Sequence, residues 1–202
     1  MSTDIELSKN FYLHEFTNID HYKITIPQWD MLFNLTNNIL EPIRKLLGDY
    51  PIYITNGVRT YQDYQNLLCN GYNPSITSDH FFGNVIKIPE SFNYKITKYG
   101  KYYFYSVGAC DFYHKKLSCK EVFDKLLKYA NKKEKSLSFP EDVSKKKIKI
   151  GQLILEQNKK SKWLHISNPG TLIFSNKINK DYLNRKPFLT SYDNGKTYQE
   201  VI

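Results

Sequence analysis

Cysteine is scarce in this chain: three in 202 residues, at Cys69, Cys110 and Cys119. An odd number at these spacings fits neither a disulfide framework nor a zinc knuckle, so the three read as reduced, structural thiols. Long apolar runs are missing too. Nothing approaches the roughly 20 residues that a membrane-spanning helix needs, and the opening M-S-T-D-I-E-L-S lacks the basic and apolar regions of a signal peptide. The expectation is a protein synthesised in the cytoplasm as a soluble chain without a membrane span, so that any export would need another route. Acidic residues are outnumbered, 20 Asp and Glu against 29 Lys and Arg, for a net charge of +9. A basic surface suits an anionic polymer, whether nucleic acid, a wall polymer or a membrane face. No helix-turn-helix, zinc-finger or aromatic ribonucleoprotein signature accompanies the charge, which argues against a specific nucleic-acid partner. There is no G-x-S-x-G elbow, no thiol-protease flank around a cysteine, and no H-E-x-x-H helix.

What is present is enough apolar residue for a real core. Hydrophobic content is 41%, with 15% aromatics, which indicates a folded chain, and the length suits one domain over residues 1–202. Residues 8–16 read as an extended lead-in anchored by Phe11, Leu13 and Phe16. Leu32, Leu35, Ile39, Ile43 and Leu46 recur at helical steps between Pro27 and Gly48, with Pro42 expected to bend or divide the helix. A strand over residues 51–55 leads to a turn at Asn56-Gly57, and Thr60 opens a short helix with T-x-x-D. Residues 84–107 read as a tyrosine-rich hairpin. Ser118 begins a second helix with the capping box S-C-K-E. Residues 132–147 read as a charged, mobile connector. Residues 171–174 and the segment D-N-G-K-T-Y (193–198) suggest edge strands and a tight turn. There is no βαβ alternation and no internal repeat, so the class is α+β.

The chemistry gathers in residues 149–167, K-I-G-Q-L-I-L-E-Q-N-K-K-S-K-W-L-H-I-S. Two apolar runs flank a polar segment, the pattern of a β-hairpin. By alternation Gln152, Ile154 and Glu156 share one strand face, and Trp163, His165 and Ser167 another. If those faces coincide, a carboxylate and an imidazole project into the same space. Arg59, Ser78, His80, Asp111, Glu156 and His165 are the polar residues set beside apolar strands or turns. Two imidazoles and one carboxylate are sufficient for a catalytic zinc site with an open fourth position. Asp63 and Asp79 compete with Asp111 for the carboxylate role, and His114 stands at D-x-x-H spacing from Asp111.

These residues fall in a series of motifs. The chain has Ser78-Asp79-His80-Phe81-Phe82-Gly83, then Ala109-Cys110-Asp111, then Gln152 to Glu156 as Q-L-I-L-E, then Trp163-Leu164-His165-Ile166-Ser167. Upstream lie F-Y-L-H-E-F at 11–16, L-E-P-I-R at 40–44 and T-N-G-V-R-T at 55–60. In this order they resemble the zinc D-alanyl-D-alanine carboxypeptidase family, which includes phage L-alanyl-D-glutamate endolysins and shares its fold with the Hedgehog signalling domain. The resemblance spans roughly residues 8–200, closest to a phage-associated branch. It implies a small antiparallel sheet carrying the site and helices on its other side; to that pattern this chain would add an inserted hairpin at 84–108. It implies Zn2+ held by His80, Asp111 and His165, Arg59 on the substrate carboxylate or oxyanion, and Ser78 and Gln152 on the substrate side. Glu156 is the chosen base. The implied activity is a metallopeptidase hydrolysing peptidoglycan stem peptides in cell-wall degradation, as a bacteriophage endolysin or a virion protein with other virion proteins as partners.

Two features depart from the family pattern. Residues 84–108 intervene between the first histidine and the aspartate, where the family has a short turn. The position three before the last histidine, often acidic in the family, is Lys162. They frame the alternative: a structural or binding protein of a phage particle that keeps the fold with a degraded site.

Overall fold

In the computed structural model of the chain, residues 4–18, 23–24, 26–72, 74, 78–81, 104–105, 108–169, 172–174, 177–178, 185–193 and 195–201 are described. The first elements are the paired strands β1 (Glu6–Ser8) and β2 (Phe11–Tyr12), followed by the single helical turn α1 (Leu13–Phe16). The lead-in is therefore a small hairpin and a turn of helix rather than an extended strand. Glu15 explains the turn, because its carboxylate accepts the Tyr12 N–H at 2.8 Å and closes a capping box.

The long helical pattern is divided, but ahead of Pro42. Helix α2 (Ile26–Leu35) widens into a π-turn over Thr36–Leu40, where Glu41 N–H donates to Thr36 O, and resumes as α3 (Glu41–Leu46). Proline has no N–H to offer the preceding turn, and its ring crowds the carbonyl four residues back; a wider turn relieves both. Glu41 then reaches back to the N-terminal hairpin, accepting from Ser8 Oγ at 2.7 Å, Asn10 N at 2.8 Å and Asn10 Nδ2 at 2.8 Å. The acid of L-E-P-I-R thus has a structural partner.

The site is carried by a six-stranded sheet in the order β14-β13-β9-β10-β5-β3. Its strands are β3 (Ile52–Asn56), β5 (Ala109–His114), β9 (Leu153–Gln157), β10 (Lys162–Ser167), β13 (Phe188–Ser191) and β14 (Gln199–Glu200). The expected hairpin is β9 and β10, closed by Asn158 N–H on Ser161 O at 2.9 Å. The sheet is mixed and not purely antiparallel, since β13 runs parallel to β9. That strand arrives after a long excursion instead of a tight turn, so the chain can cross over and enter from the same end. Helix α4 (Tyr61–Cys69) is capped by Thr60 and Asp63 as expected, and α5 (Cys119–Leu127) by Ser118 and Glu121. Val122, Phe123 and Leu126 of α5 share one apolar cluster with Phe112, Leu155, Leu164 and Ile166 of the sheet. Burying each such side chain contributes about 1.5–3 kcal/mol before entropy is counted. The opposite sheet face is left for polar groups.

Other expectations are corrected. Residues 132–147 are not a loose connector: β6 (Ala130–Asn131), β7 (Ser136–Leu137) and β8 (Ile148–Lys149) form a three-stranded sheet. Buried Leu137, Phe139 and Ile148 anchor it among the lysines, which a charge-run reading overlooks. Strand β11 (Leu172–Phe174) is central, between β12 (Lys177–Ile178) and β4 (Phe104–Tyr105), and not an edge. Apart from Phe104, Tyr105 and Gly108, the expected insertion at 84–108 lies outside the described residues.

Asn56-Gly57 is not the expected turn: Asn56 is the last residue of β3. The Gly57 position exists because the chain passes hard against α1: a Cβ there would lie 2.3 Å from Phe16 O and 2.6 Å from Phe16 Cα. Backbone atoms cannot step aside as a flexible side chain can. Gly57→Ala is therefore expected to cost about 2–4 kcal/mol, read as a lower midpoint in chemical denaturation. A midpoint like that of the unaltered protein would show that α1 is free to move.

Candidate metal centre

Strand register assembles most of the site. On β10, His165 is directly opposite Asp111 of β5 and Ile154 of β9, while Trp163 is opposite Glu156. Residues directly opposite across a sheet project from the same face. Asp111, His165, Ile154 and Glu156 therefore share one face, and the two faces of the hairpin do coincide. His80 comes from elsewhere, on the 3₁₀ turn Asp79–Phe81. That turn is sewn to the end of β3: Arg59 N–H donates to His80 O at 2.7 Å, and His80 Nδ1–H donates to Gly57 O at 2.8 Å.

The three side chains converge on one oxygen. His80 Nε2 lies 3.2 Å and His165 Nδ1 3.0 Å from Asp111 Oδ1, and one ligand atom from each residue lies within 4.8 Å of the others. Asn56 Nδ2–H donates to the other carboxylate oxygen at 3.1 Å, leaving Oδ1 for the cluster. Only 3% of His80 and 7% of His165 is exposed, so the groups meet with little water to screen them.

The protons on these groups argue for a cation. Because a carbonyl oxygen only accepts, the Gly57 contact commits a proton to His80 Nδ1. Burial pushes the His80 imidazole toward the neutral form, against the pull of Asp111. With Nδ1 committed to Gly57, a neutral His80 leaves a bare Nε2 lone pair facing the Asp111 carboxylate, and a charged one places its second proton there. Two acceptors facing each other at this distance need a positive charge between them, supplied by a proton or a metal. Burial also opposes charge on Asp111, but the histidines outweigh it and hold the carboxyl well below the usual range. For His165 burial is likewise outweighed by Asp111, with Glu156 and Asp79 behind it, so its pKa is raised. Two nitrogens and one carboxylate oxygen are a donor set that fits zinc with one position open.

The remaining expected residues are placed as follows. Glu156 is largely buried on the site face; desolvation pushes its carboxyl up to about 7, with the positive charge of His165 and Arg59 restraining the rise. Arg59 donates to Ser78 Oγ at 3.3 Å and is within electrostatic reach of Asp111, Asp63 and Glu156. Burial lowers its pKa, and those three acids counter the fall. Gln152 is buried, donating through Nε2 to Lys186 O at 3.1 Å and accepting from Arg185. Lys162 is exposed at the start of β10, an odd number of residues from His165, and so belongs to the other face. Its lysine charge does not occupy a base position in this geometry. Asp63 serves the α4 cap, and His114 faces the core side, accepting from Leu117 N–H at 3.0 Å.

Asp79, Asn56, Gly57, Tyr198 and Arg185 are the neighbours that sequence reasoning did not assign to the site. Asp79, only 1% exposed, receives Arg185 NH1 at 2.7 Å and so ties the His80 turn to the segment entering β13. The sequence offers Asp79 only as a rival to Asp111 for the carboxylate role; nothing in it announces Arg185. No family model matches the chain, and neither a curated protein nor a solved structure matches it. Fold and site together define a small mixed α+β protein whose buried His80, Asp111 and His165 form a potential metal-binding site. That is consistent with a zinc-hydrolase-like fold in general and with a metal-dependent enzyme.

Proposed function

We propose that the chain is a zinc-dependent peptidase acting on the D-amino-acid-containing stem peptides of peptidoglycan, as a phage endolysin or a virion-borne wall hydrolase. The observation that carries this reading is the convergence of His80 and His165 on one oxygen of Asp111, with a carboxyl of raised pKa, Glu156, on the same sheet face. The series of family motifs in chain order supports the substrate class. Bound zinc would supply a Lewis acid and a water whose pKa is lowered to roughly 7.

The chain's own residues would do the rest. His80, Asp111 and His165 hold the metal, with Gly57 O and Asn56 fixing the orientation of the first two. Glu156, largely buried on the same sheet face, would take a proton from water and return it to the leaving amine. Arg59, steadied by Ser78, balances charge that builds on the substrate or its carboxylate. Gln152 contributes to the substrate side through its hold on Arg185. The alternative of a spent site rested partly on Lys162, whose place on the other face weakens it.

Purified protein loaded with zinc should release new amino groups from isolated peptidoglycan sacculi, stop when the metal is chelated, and resume when zinc is restored. Zinc-loaded protein that releases none from sacculi of varied stem composition would sink the proposal.

A further inference from the structure

The turn between β13 and β14 is built with more care than a surface connection needs. Asp193 Oδ1 accepts from Ser191 Oγ at 3.0 Å, Lys196 N at 3.1 Å and Thr197 N at 2.9 Å, while Oδ2 accepts from Thr197 Oγ1 at 2.6 Å. Ser191 Oγ also accepts from Gly195 N at 3.0 Å. Hydrogen bonds from Thr197 hold the Asp193 carboxyl down at about 2, so the knot stays ionised across the neutral range. Ser191 is in register with Glu156, so the turn leaves the sheet beside the proposed base.

The knot has a consequence at its far end. Gly195, at φ +74°, has no room for a side chain: a Cβ there would lie 2.9 Å from the Tyr198 hydroxyl and 3.5 Å from Glu156 Oε2. Both oxygens thus pack against the same glycine, which sets the Tyr198 hydroxyl beside the proposed base. Tyr198 keeps 48% of its surface exposed, so a substrate can reach it. Partial burial, with Glu156 and Asp111 adding their negative charge, pushes the phenol up to about 12. Near neutral pH it is a hydrogen-bond donor and nothing else is required of it.

We propose that Tyr198 is a further catalytic residue, whose phenol O–H donates to the substrate oxygen on which negative charge develops, beside Glu156. No bond to Tyr198 forms and its proton is not transferred. The inference rests on the peptidase reading and adds to it the role of the C-terminal turn, which positions the donor. Removing a donor of this kind from a preorganised site costs about 100- to 1000-fold when it is fully enclosed; for a half-exposed phenol about 10- to 100-fold is expected.

The test compares the zinc-loaded full chain with Tyr198→Phe on soluble muropeptides, with zinc content and melting temperature measured on both. The expected result is a kcat lower by about 10- to 100-fold, with KM, zinc content and melting temperature unchanged, since the ring and its packing are retained. Unchanged kcat would overturn the role of Tyr198 and leave the peptidase reading standing. A loss of kcat accompanied by loss of zinc or a lower melting temperature would also overturn it, in favour of a structural role. An unaltered protein that carries zinc yet cleaves no muropeptide would overturn the role together with the reading it rests on.

Discussion

Zinc should bind the unaltered protein at near one ion per chain and fall to near none in His80→Ala and in His165→Ala. Each substitution removes one of the three donors found among the described residues, and two groups hold an ion far less well than three. Losing a partner that merely orients a ligand already costs about 10- to 100-fold in affinity, so losing a ligand should exceed that. A thermal readout is independent of any activity. Metal at about a thousand times its Kd stabilises the state that binds it by about 4 kcal/mol, worth about 8–16 °C for a chain of this size. That rise on adding zinc is expected in the unaltered protein and should vanish in both variants. His114→Ala, altering a core-side histidine outside the cluster, should retain the ion. An unaltered protein that takes up no zinc would refute the centre itself.

Glu156→Gln should abolish most turnover while zinc remains bound. The amide has the size of the carboxyl but cannot take a proton from water, and general-base catalysis of this kind is worth about 100- to 10,000-fold. Retained zinc separates this outcome from loss of the centre. Full activity in the variant would assign the base elsewhere.

The same variant has a signature in the metal-free protein. Burial raises the Glu156 pKa from 4.5 to about 7, so the folded state favours the protonated carboxyl. Its contribution to stability is fully present below pH 4.5 and is lost as pH rises through about 7. At about 1.4 kcal/mol per pKa unit the loss is about 3 kcal/mol at most. Chelated Glu156→Gln, which cannot ionise there, should therefore match the chelated unaltered protein near about pH 4 and gain on it steadily from about pH 5 to about pH 7. Denaturation midpoints across that range test the sign; parallel curves would show that Glu156 is well hydrated.

Much of the site was legible because strand geometry has a short period. Alternation placed Glu156 and His165 on single faces, and the register of β9 with β10 brought those faces together. The helix caps at Thr60 and Ser118 were equally local, since each closes within four residues. Charge runs misled: lysines around residues 132–147 concealed Leu137 and Ile148, which a tally of charge does not weigh. Gly57 misled differently. Asn-Gly is a turn signal, but here the glycine answers to Phe16, some forty residues earlier in the chain.

By itself the sequence determined the α+β class, the caps, the alternating hairpin and the residue types able to hold a metal. These depend on contacts within a few residues, or on side chains whose chemistry is intrinsic. The tertiary structure decided that Asp111, and not Asp63 or Asp79, receives both imidazoles, that Gly57 sets the tautomer of His80, and that β13 joins β9 in parallel. It alone brought Arg185 to Asp79 and the Asp193 turn beside Glu156. Such pairings span tens of residues or more. They form only when burial of the shared core outweighs the entropy of closing those loops, a balance no local pattern records.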